Sequence, residues 1–196
     1  HYRTFGYHPL VAFDAVTGLF LKAQLRKGNV YTSTNVVGFL EPILQHLTED
    51  LHVSHILIRA DSGFAVPALY ELCEFYSVKY IIRLKANAIL NRVAESFIYS
   101  NPRYSIVELE RQFDEFDYQA GSWNKERTVV LQNERAGGKL LFTPMFIVTN
   151  MEGIIPEIII KIYKNRGLME NYIKEAKLGF FMDKTDSSKF VTNEAR

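Results

Sequence analysis

Hydrophobic and polar residues alternate along residues 9–27, and a short polar stretch interrupts the alternation. This stretch runs from Asp14 to Gly18 and is rich in residues that favour turns. After it, apolar residues occupy every second position, as in a strand with one buried face: Leu19, Leu21, Ala23 and Leu25. The pattern therefore predicts a β-hairpin.

The region after the hairpin changes repeatedly between helical and strand-like patterns. Apolar residues spaced three and four apart predict a helix over 35–47, which Ser33 or Thr34 would cap. The elements predicted next are strands at 55–59 and 79–84 and helices at 66–75 and 88–99. This order of elements predicts a mixed α/β layer.

The character of the sequence changes again after Tyr99. Residues 104–150 are rich in strand-forming residues, and Gly137-Gly138 is typical of a hairpin turn. We expect a β-rich insertion here that leaves the main sheet, with its last strand returning to that sheet. The expected parts of the chain are 1–99 and 145–196 for the core, and 100–144 for the insertion.

Composition narrows the class of protein. The 196 residues are 47% hydrophobic and 23% charged, the balance of a globular domain that buries a core. The single cysteine, Cys73, excludes a disulfide framework and a multi-cysteine zinc site, and we interpret it as a core thiol. No transmembrane helix or signal peptide is predicted. Because the chain begins without Met and has no closing element, we expect a fragment.

The net charge of +1 does not by itself indicate a nucleic-acid-binding protein. Within 161–196, however, basic residues outnumber acidic residues by eight to five. This local excess suggests a polyanionic partner.

The last predicted helix, 156–179, carries one carboxylate within a polar stripe. Residues seven apart nearly superpose on a helix, so one tyrosine and three basic residues share the stripe of Glu170: Tyr163, Arg166, Lys174 and Lys177. Two interpretations stay open. The stripe is either a solvated face with i,i+4 salt bridges or a metal-binding carboxylate flanked by phosphate-binding groups.

Asp61 comes directly after a predicted buried strand and before the Ser62-Gly63 turn. Ligand sites of α/β sheets form at such strand ends, and a carboxylate there can hold Mg²⁺. The alternative is that Asp61 caps the following helix.

Other polar and aromatic residues give weaker signals. Lys85 and Asn87 follow a strand end on the same side as Asp61. They either contact DNA or stabilise the loop, and we favour the loop role. Trp123 either stacks on nucleic-acid bases or belongs to a small core, and we favour the core. Three histidines lie close in sequence without a zinc motif, and we interpret them as surface or helix-end residues: His46, His52 and His55.

Taken together, these motifs resemble the DDE transposases of bacterial insertion sequences, in the group with a Y-R-E signature. The signature is complete in the chain, with the family's spacing: Tyr163, Arg166, Glu170 and Lys177. Further matching segments occur in the family's order: GYHPLVAFDAVTGLFLKAQLRKGN (6–29), IRADSGF (58–64), YIIRLKAN (80–87), SWNKERTVV (122–130) and DKTDSSKFVTNEAR (183–196).

The resemblance implies a ribonuclease H-like fold, in which helices flank a mixed sheet and the β-rich insertion precedes the helix with Glu170. It implies a catalytic domain that cleaves DNA and transfers the cut strand, using two divalent ions, Mg²⁺ or Mn²⁺. Asp61 matches the second catalytic Asp and Glu170 the catalytic Glu. We expect their carboxylates within about 4–8 Å of each other, close enough to share a pair of metals.

The family's first catalytic Asp belongs on a strand upstream of His1. Asp14 lies at the predicted hairpin turn, and we interpret it as a turn residue rather than as a substitute. With two of three carboxylates, residues 1–196 alone are expected to be inactive.

The resemblance also implies the partner, which is double-stranded DNA in the form of the transposon's terminal inverted repeats and the target. Tyr163, Arg166 and Lys177 would contact the transposon-end strand, and Lys174 and Lys85 are further candidates for DNA contacts. A homodimer in the DNA complex and a bacterial cytoplasmic location, with the nucleoid when DNA is bound, are also expected. The alternatives are a truncated remnant that only binds DNA and a ribonuclease H-like nuclease.

Overall fold

A computed structural model of the chain describes residues 6–99 and 106–165, with Gly167, Asn171, Lys174, Phe190 and Thr192. The chain divides into two compact units: His1–His52 with Asn165–Arg196, and Val53–Lys164.

The first unit contains the predicted β-hairpin. Strand β1 (Leu10–Phe13) pairs antiparallel with β2 (Phe20–Gln24). The chain reverses between them through a turn in which the Gly18 amide donates to the Asp14 carbonyl at 2.9 Å. Gly18 has a φ of 76°, a backbone conformation that favours glycine. The hairpin prediction is therefore confirmed, but the expected buried face is wrong: Leu19 and Leu21 are 64% and 46% exposed, and Lys22 on the other face is half-buried.

Helix α1 (Val36–Gln45) follows the hairpin and runs into a short π-helical segment, His46–Asp50. The residue before α1 is Asn35, which has a left-handed backbone and makes no side-chain capping bond. The predicted cap by Ser33 or Thr34 is wrong, because the helix begins at Val36 and Asn35 therefore occupies the capping position.

The second unit is a five-stranded sheet with helices on both faces. Its elements are β3 (Leu57–Ala60), α2 (Pro67–Phe75), β4 (Lys79–Leu84), α3 (Ala88–Ser96), β5 (Glu110–Tyr118), β6 (Arg127–Arg135), β7 (Thr143–Thr149) and α4 (Pro156–Lys164). The strand order is β3-β4-β7-β6-β5, with β3 and β4 parallel and the other neighbours antiparallel. In the described ranges, no helix has the length and apolar character needed to cross a membrane.

The sheet separates two packed layers. Under α4, buried residues from three strands meet three from the helix: Ile81, Val130, Ile147, Ile159, Ile160 and Tyr163. On the opposite face, Tyr70 of α2 stacks on Tyr80 of β4 with ring centroids 5.3 Å apart. Because neighbouring residues of a strand project to opposite faces, β4 contributes to both layers.

Strands β5 and β6 belong to this same sheet, so the expectation that they leave it is wrong. Strand β6 pairs with β7 over seven successive residues, and Val130 and Leu131, on its two faces, are fully buried. The strand-forming pattern identifies strands but not their partners, and only the pairing shows that β6 is an interior strand. The return of β7 to the main sheet is confirmed. The division into 1–99, 100–144 and 145–196 stays a prediction.

Candidate active site

Asp61 is the first residue after β3. Its carboxylate accepts a hydrogen bond from the Gly63 amide at 2.9 Å and so caps a short 3₁₀ turn, Ser62–Phe64. The capping interpretation is confirmed for this turn, while α2 itself begins later, at Pro67. A carboxylate has several acceptor positions on its two oxygens, and capping does not use all of them.

The direction of the Asp61 side chain follows from its position on the strand. Asp61 keeps an extended backbone, so it projects to the same face as Arg59, two residues earlier. Nη1 of Arg59 donates to the carbonyl oxygen of Ile162 in α4 at 2.9 Å. Asp61 therefore lies at the end of β3 on the side of the sheet that α4 covers.

Lys85 lies at the same edge of the sheet as Asp61. It directly follows β4, and the carboxyl ends of the parallel strands β3 and β4 meet at one edge. Lys85 is exposed, as a DNA contact requires. Loop stabilisation at this edge comes from Asn87, whose side chain accepts a hydrogen bond from the Leu90 amide at 2.9 Å and caps α3.

Helix α4 begins at Pro156, where the sequence predicts it, and proline suits a first helical position. Tyr163 on this helix is 8% exposed and packs in the core with Ile81 and Val130. Only a small part of its side chain is accessible to a ligand. The DNA contact expected of Tyr163 stays a prediction.

The remaining members of the predicted polar stripe lie mostly outside the described residues. These are Arg166, Glu170 and Lys177. The expected distance between the carboxylates of Asp61 and Glu170 therefore also lies outside the described residues. Lys174 is described, with a helical backbone and an exposed side chain.

Asp14 is engaged in the hairpin turn. Its carboxylate accepts hydrogen bonds from the Val16 amide at 3.0 Å, the Thr17 amide at 3.3 Å and the Thr17 hydroxyl. The hydroxyl bond, followed by the Val16 amide, holds the pKa of Asp14 below its ordinary value. The interpretation of Asp14 as a turn residue is confirmed.

Other potential ligands are dispersed. Among the described residues, no group of three or more His, Cys, Asp or Glu side chains converges as a metal site would require.

His46 is exposed and pairs with Asp50 at 2.7 Å. Cys73 is fully buried, and burial raises the pKa of its thiol to about 12, so the core-thiol interpretation is confirmed. The further metal-binding carboxylates that the resemblance expects beside Asp61 stay a prediction.

Trp123 is part of the core. It is 7% exposed, and its ring lies against Tyr70 and Tyr118 with centroids 5.4 and 5.5 Å away. The guanidinium of Arg127 sits 5.6 Å from the same ring. The core interpretation is confirmed, and this ring is not available for stacking on bases.

Arg127 and Glu74 form an ion pair that the sequence analysis missed. Nε and Nη2 of Arg127 donate to the two carboxylate oxygens of Glu74 at 2.9 and 3.2 Å, and Lys125 adds a contact at 3.0 Å. Burial raises the pKa of Glu74, but the bonds from Arg127 and Lys125 outweigh burial and leave it below its ordinary value. The pair fastens α2, which begins shortly after Asp61, to β6.

The helix-flanked mixed sheet, with a carboxylate at the end of a parallel strand, is consistent with a ribonuclease H-like α/β domain. A family model described as transposase DDE domain group 1 matches residues 1–196. The chain therefore belongs to this family of DDE transposases, and the resemblance inferred from the sequence is confirmed. A comparison with curated proteins gave no match.

Proposed function

We propose that this chain is a transposase catalytic domain that cleaves DNA at the ends of an insertion sequence and transfers the cut strand to a target. Membership of the DDE family supports the class of reaction. The observation that supports the site is Asp61, placed at the end of β3 on the α4 side of the sheet.

Asp61 and Glu170 are the proposed ligands of a divalent metal, Mg²⁺ or Mn²⁺. The family generally uses such ions, and the oxygen donors of carboxylates suit a hard cation. When bound, a metal pair stabilises the attacking and leaving oxygens of the phosphodiester. The resemblance assigns the remaining ligand to the first Asp of the family's triad.

Basic side chains are proposed to hold the DNA for this reaction. Arg166 presents a planar fork that matches the geometry of a phosphate, whereas Lys85, Lys174 and Lys177 supply point charges. The exposed position of Lys85 at the Asp61 edge supports its share in this role. The proposed ligands are the terminal inverted repeats and the target duplex, bound by a homodimer.

The test is a cleavage assay on a transposon-end oligonucleotide with the full-length transposase. Asp61→Asn and Glu170→Gln should each lower the cleavage rate at least about 100-fold, since each removes a metal ligand, and leave DNA affinity within about twofold. Asp14→Asn is the matched control, because asparagine also favours turns and Asp14 is engaged in one. Full strand transfer by the Asp61→Asn or Glu170→Gln variant would contradict the proposal.

A further inference from the structure

We propose that Arg59 is a positioning residue of the candidate active site. It fixes β3, the strand directly before Asp61, against α4, the helix that precedes Glu170 in the sequence. The inference rests on the proposed function and gives a role to Arg59, which lies within the IRADSGF segment (58–64).

The contact itself spans the chain. Nη1 of Arg59 donates to the Ile162 carbonyl at 2.9 Å, across 103 residues of sequence. In the strand register, Arg59 lies beside Ile81, which belongs to the core under α4. The guanidinium therefore lies at the border of the hydrophobic core. A hydrogen bond from a charged donor is stronger there than in open solvent.

The position of β3 in the sheet makes this link important. Among the described strands, β3 pairs with β4 alone, and α4 packs mainly over β6, β5 and β4. The long side chain of Arg59 reaches from β3 to α4. Since Asp61 follows two residues later, the link helps to set where its carboxylate lies relative to α4.

A small displacement at such a site has a large effect on the rate. A reacting group moved by about 1 Å can slow a reaction about 100-fold, even when the mutated residue does not touch the substrate. Loss of the Arg59 bond should therefore impair metal binding and cleavage, while the surfaces that hold DNA stay intact.

The experiment compares Arg59→Met and Arg59→Lys with the wild type in the full-length transposase. Arg59→Met keeps most of the side-chain length but no donor, and should slow end cleavage about 10- to 100-fold and weaken Mn²⁺ binding, measured by electron paramagnetic resonance, about fivefold or more. Its affinity for end DNA should change less than about twofold. Arg59→Lys should recover part of both losses, because an ammonium still donates a hydrogen bond.

Arg111→Met is the matched control. Arg111 lies on β5, at the other end of the order of the described strands, where it pairs with Glu134 at 2.7 Å and is 44% exposed in its side chain. This variant should cleave and bind Mn²⁺ like the wild type, because an exposed pair contributes little.

Two results would overturn the inference. One is a wild-type rate and Mn²⁺ affinity in Arg59→Met. The other is a rate that falls only in proportion to the loss of folded protein, while the folded fraction keeps the wild-type Mn²⁺ affinity. In that case Arg59 would have only a structural role. An Asp61→Asn variant, run in parallel, separates the two proposals. Full activity of Asp61→Asn would refute the proposed function. If Asp61→Asn is inactive while Arg59→Met behaves like the wild type, only the role of Arg59 is refuted.

Discussion

Arg127 places a charge between aromatic rings in the interior of the second unit. Its guanidinium lies over Tyr70 at 5.1 Å and Trp123 at 5.6 Å, and only 2% of its side chain is exposed. A charge so placed depends on its partner, because an unpaired ion in the interior is costly. The buried guanidinium of Arg127 therefore requires the carboxylate of Glu74 as its partner.

Replacing Arg127 by methionine should lower the free energy of unfolding by about 2–4 kcal/mol. The value lies at the low end for a buried pair because the Glu74 side chain is 21% exposed and keeps its contact with Lys125. Urea unfolding measures the loss, with Arg111→Met as the exposed comparison at about 0–1 kcal/mol. Equal losses in the two variants would contradict the importance of the buried pair.

The lowered pKa of Glu74 predicts how this stabilisation depends on pH. A carboxyl whose pKa in the folded state lies below its ordinary value of 4.5 stabilises the protein above that value, and the contribution is lost as the pH falls through the folded-state pKa. The difference in the free energy of unfolding between the wild type and Glu74→Gln should therefore be largest near pH 7. It should shrink as the pH falls below about 4.5. Urea unfolding across this range measures the gap, and a constant gap would contradict the prediction.

Local sequence decided which individual residues could be predicted. Asp14 was identified as a turn residue because its hydrogen-bonding partners are two and three positions away. Arg59 and Arg127 were missed because their partners lie 103 and 53 residues away, and no spacing rule connects such distant positions. The same limit applies to Glu74, which reads in the sequence as an ordinary helix-surface acid.

At the level of elements, periodicity located the strands but not their pairing. Strand β4 occupies 79–84, where its apolar run predicts it, and the turn at Gly137-Gly138 joins β6 to β7 as expected. The sheet order, in contrast, depends on contacts between strands far apart in sequence. This explains why β5 and β6 were expected in a separate subdomain.

The turn between β6 and β7 depends on close backbone packing at Gly137. A Cβ atom there would lie 2.3 Å from the carbonyl oxygen of Val107, and backbone cannot move aside as a flexible side chain would. Gly137→Ala should therefore cost about 1–3 kcal/mol in thermal or urea unfolding.

Gly121→Ala is the control for this substitution. No atom lies within 4 Å of the Cβ position at Gly121, and its φ is outside the left-handed region. The change should be neutral or stabilise by up to about 1 kcal/mol. Equal stability of the two variants would show that the turn relaxes around the added methyl group.

At the level of the whole molecule, the proposed mechanism requires the complete set of carboxylates that the resemblance implies. Asp14 is held in its turn, and the resemblance assigns only Asp61 and Glu170 of this chain to the metals. Residues 1–196 alone should therefore not cleave a transposon-end oligonucleotide with Mg²⁺ or Mn²⁺, whereas the full-length transposase should. Metal-dependent cleavage by residues 1–196 would mean that Asp14 or another acid completes the site.

The packing of Trp123 gives the protein a built-in optical signal. The chain has a single tryptophan, and its ring is buried in the second unit between tyrosines and a guanidinium. Its emission should shift to longer wavelength when this cluster opens to water, while circular dichroism follows the helices and strands of both units. Coincident transitions from the two signals would show that the units unfold together, and separated transitions would show that Val53–Lys164 unfolds as a cooperative body of its own.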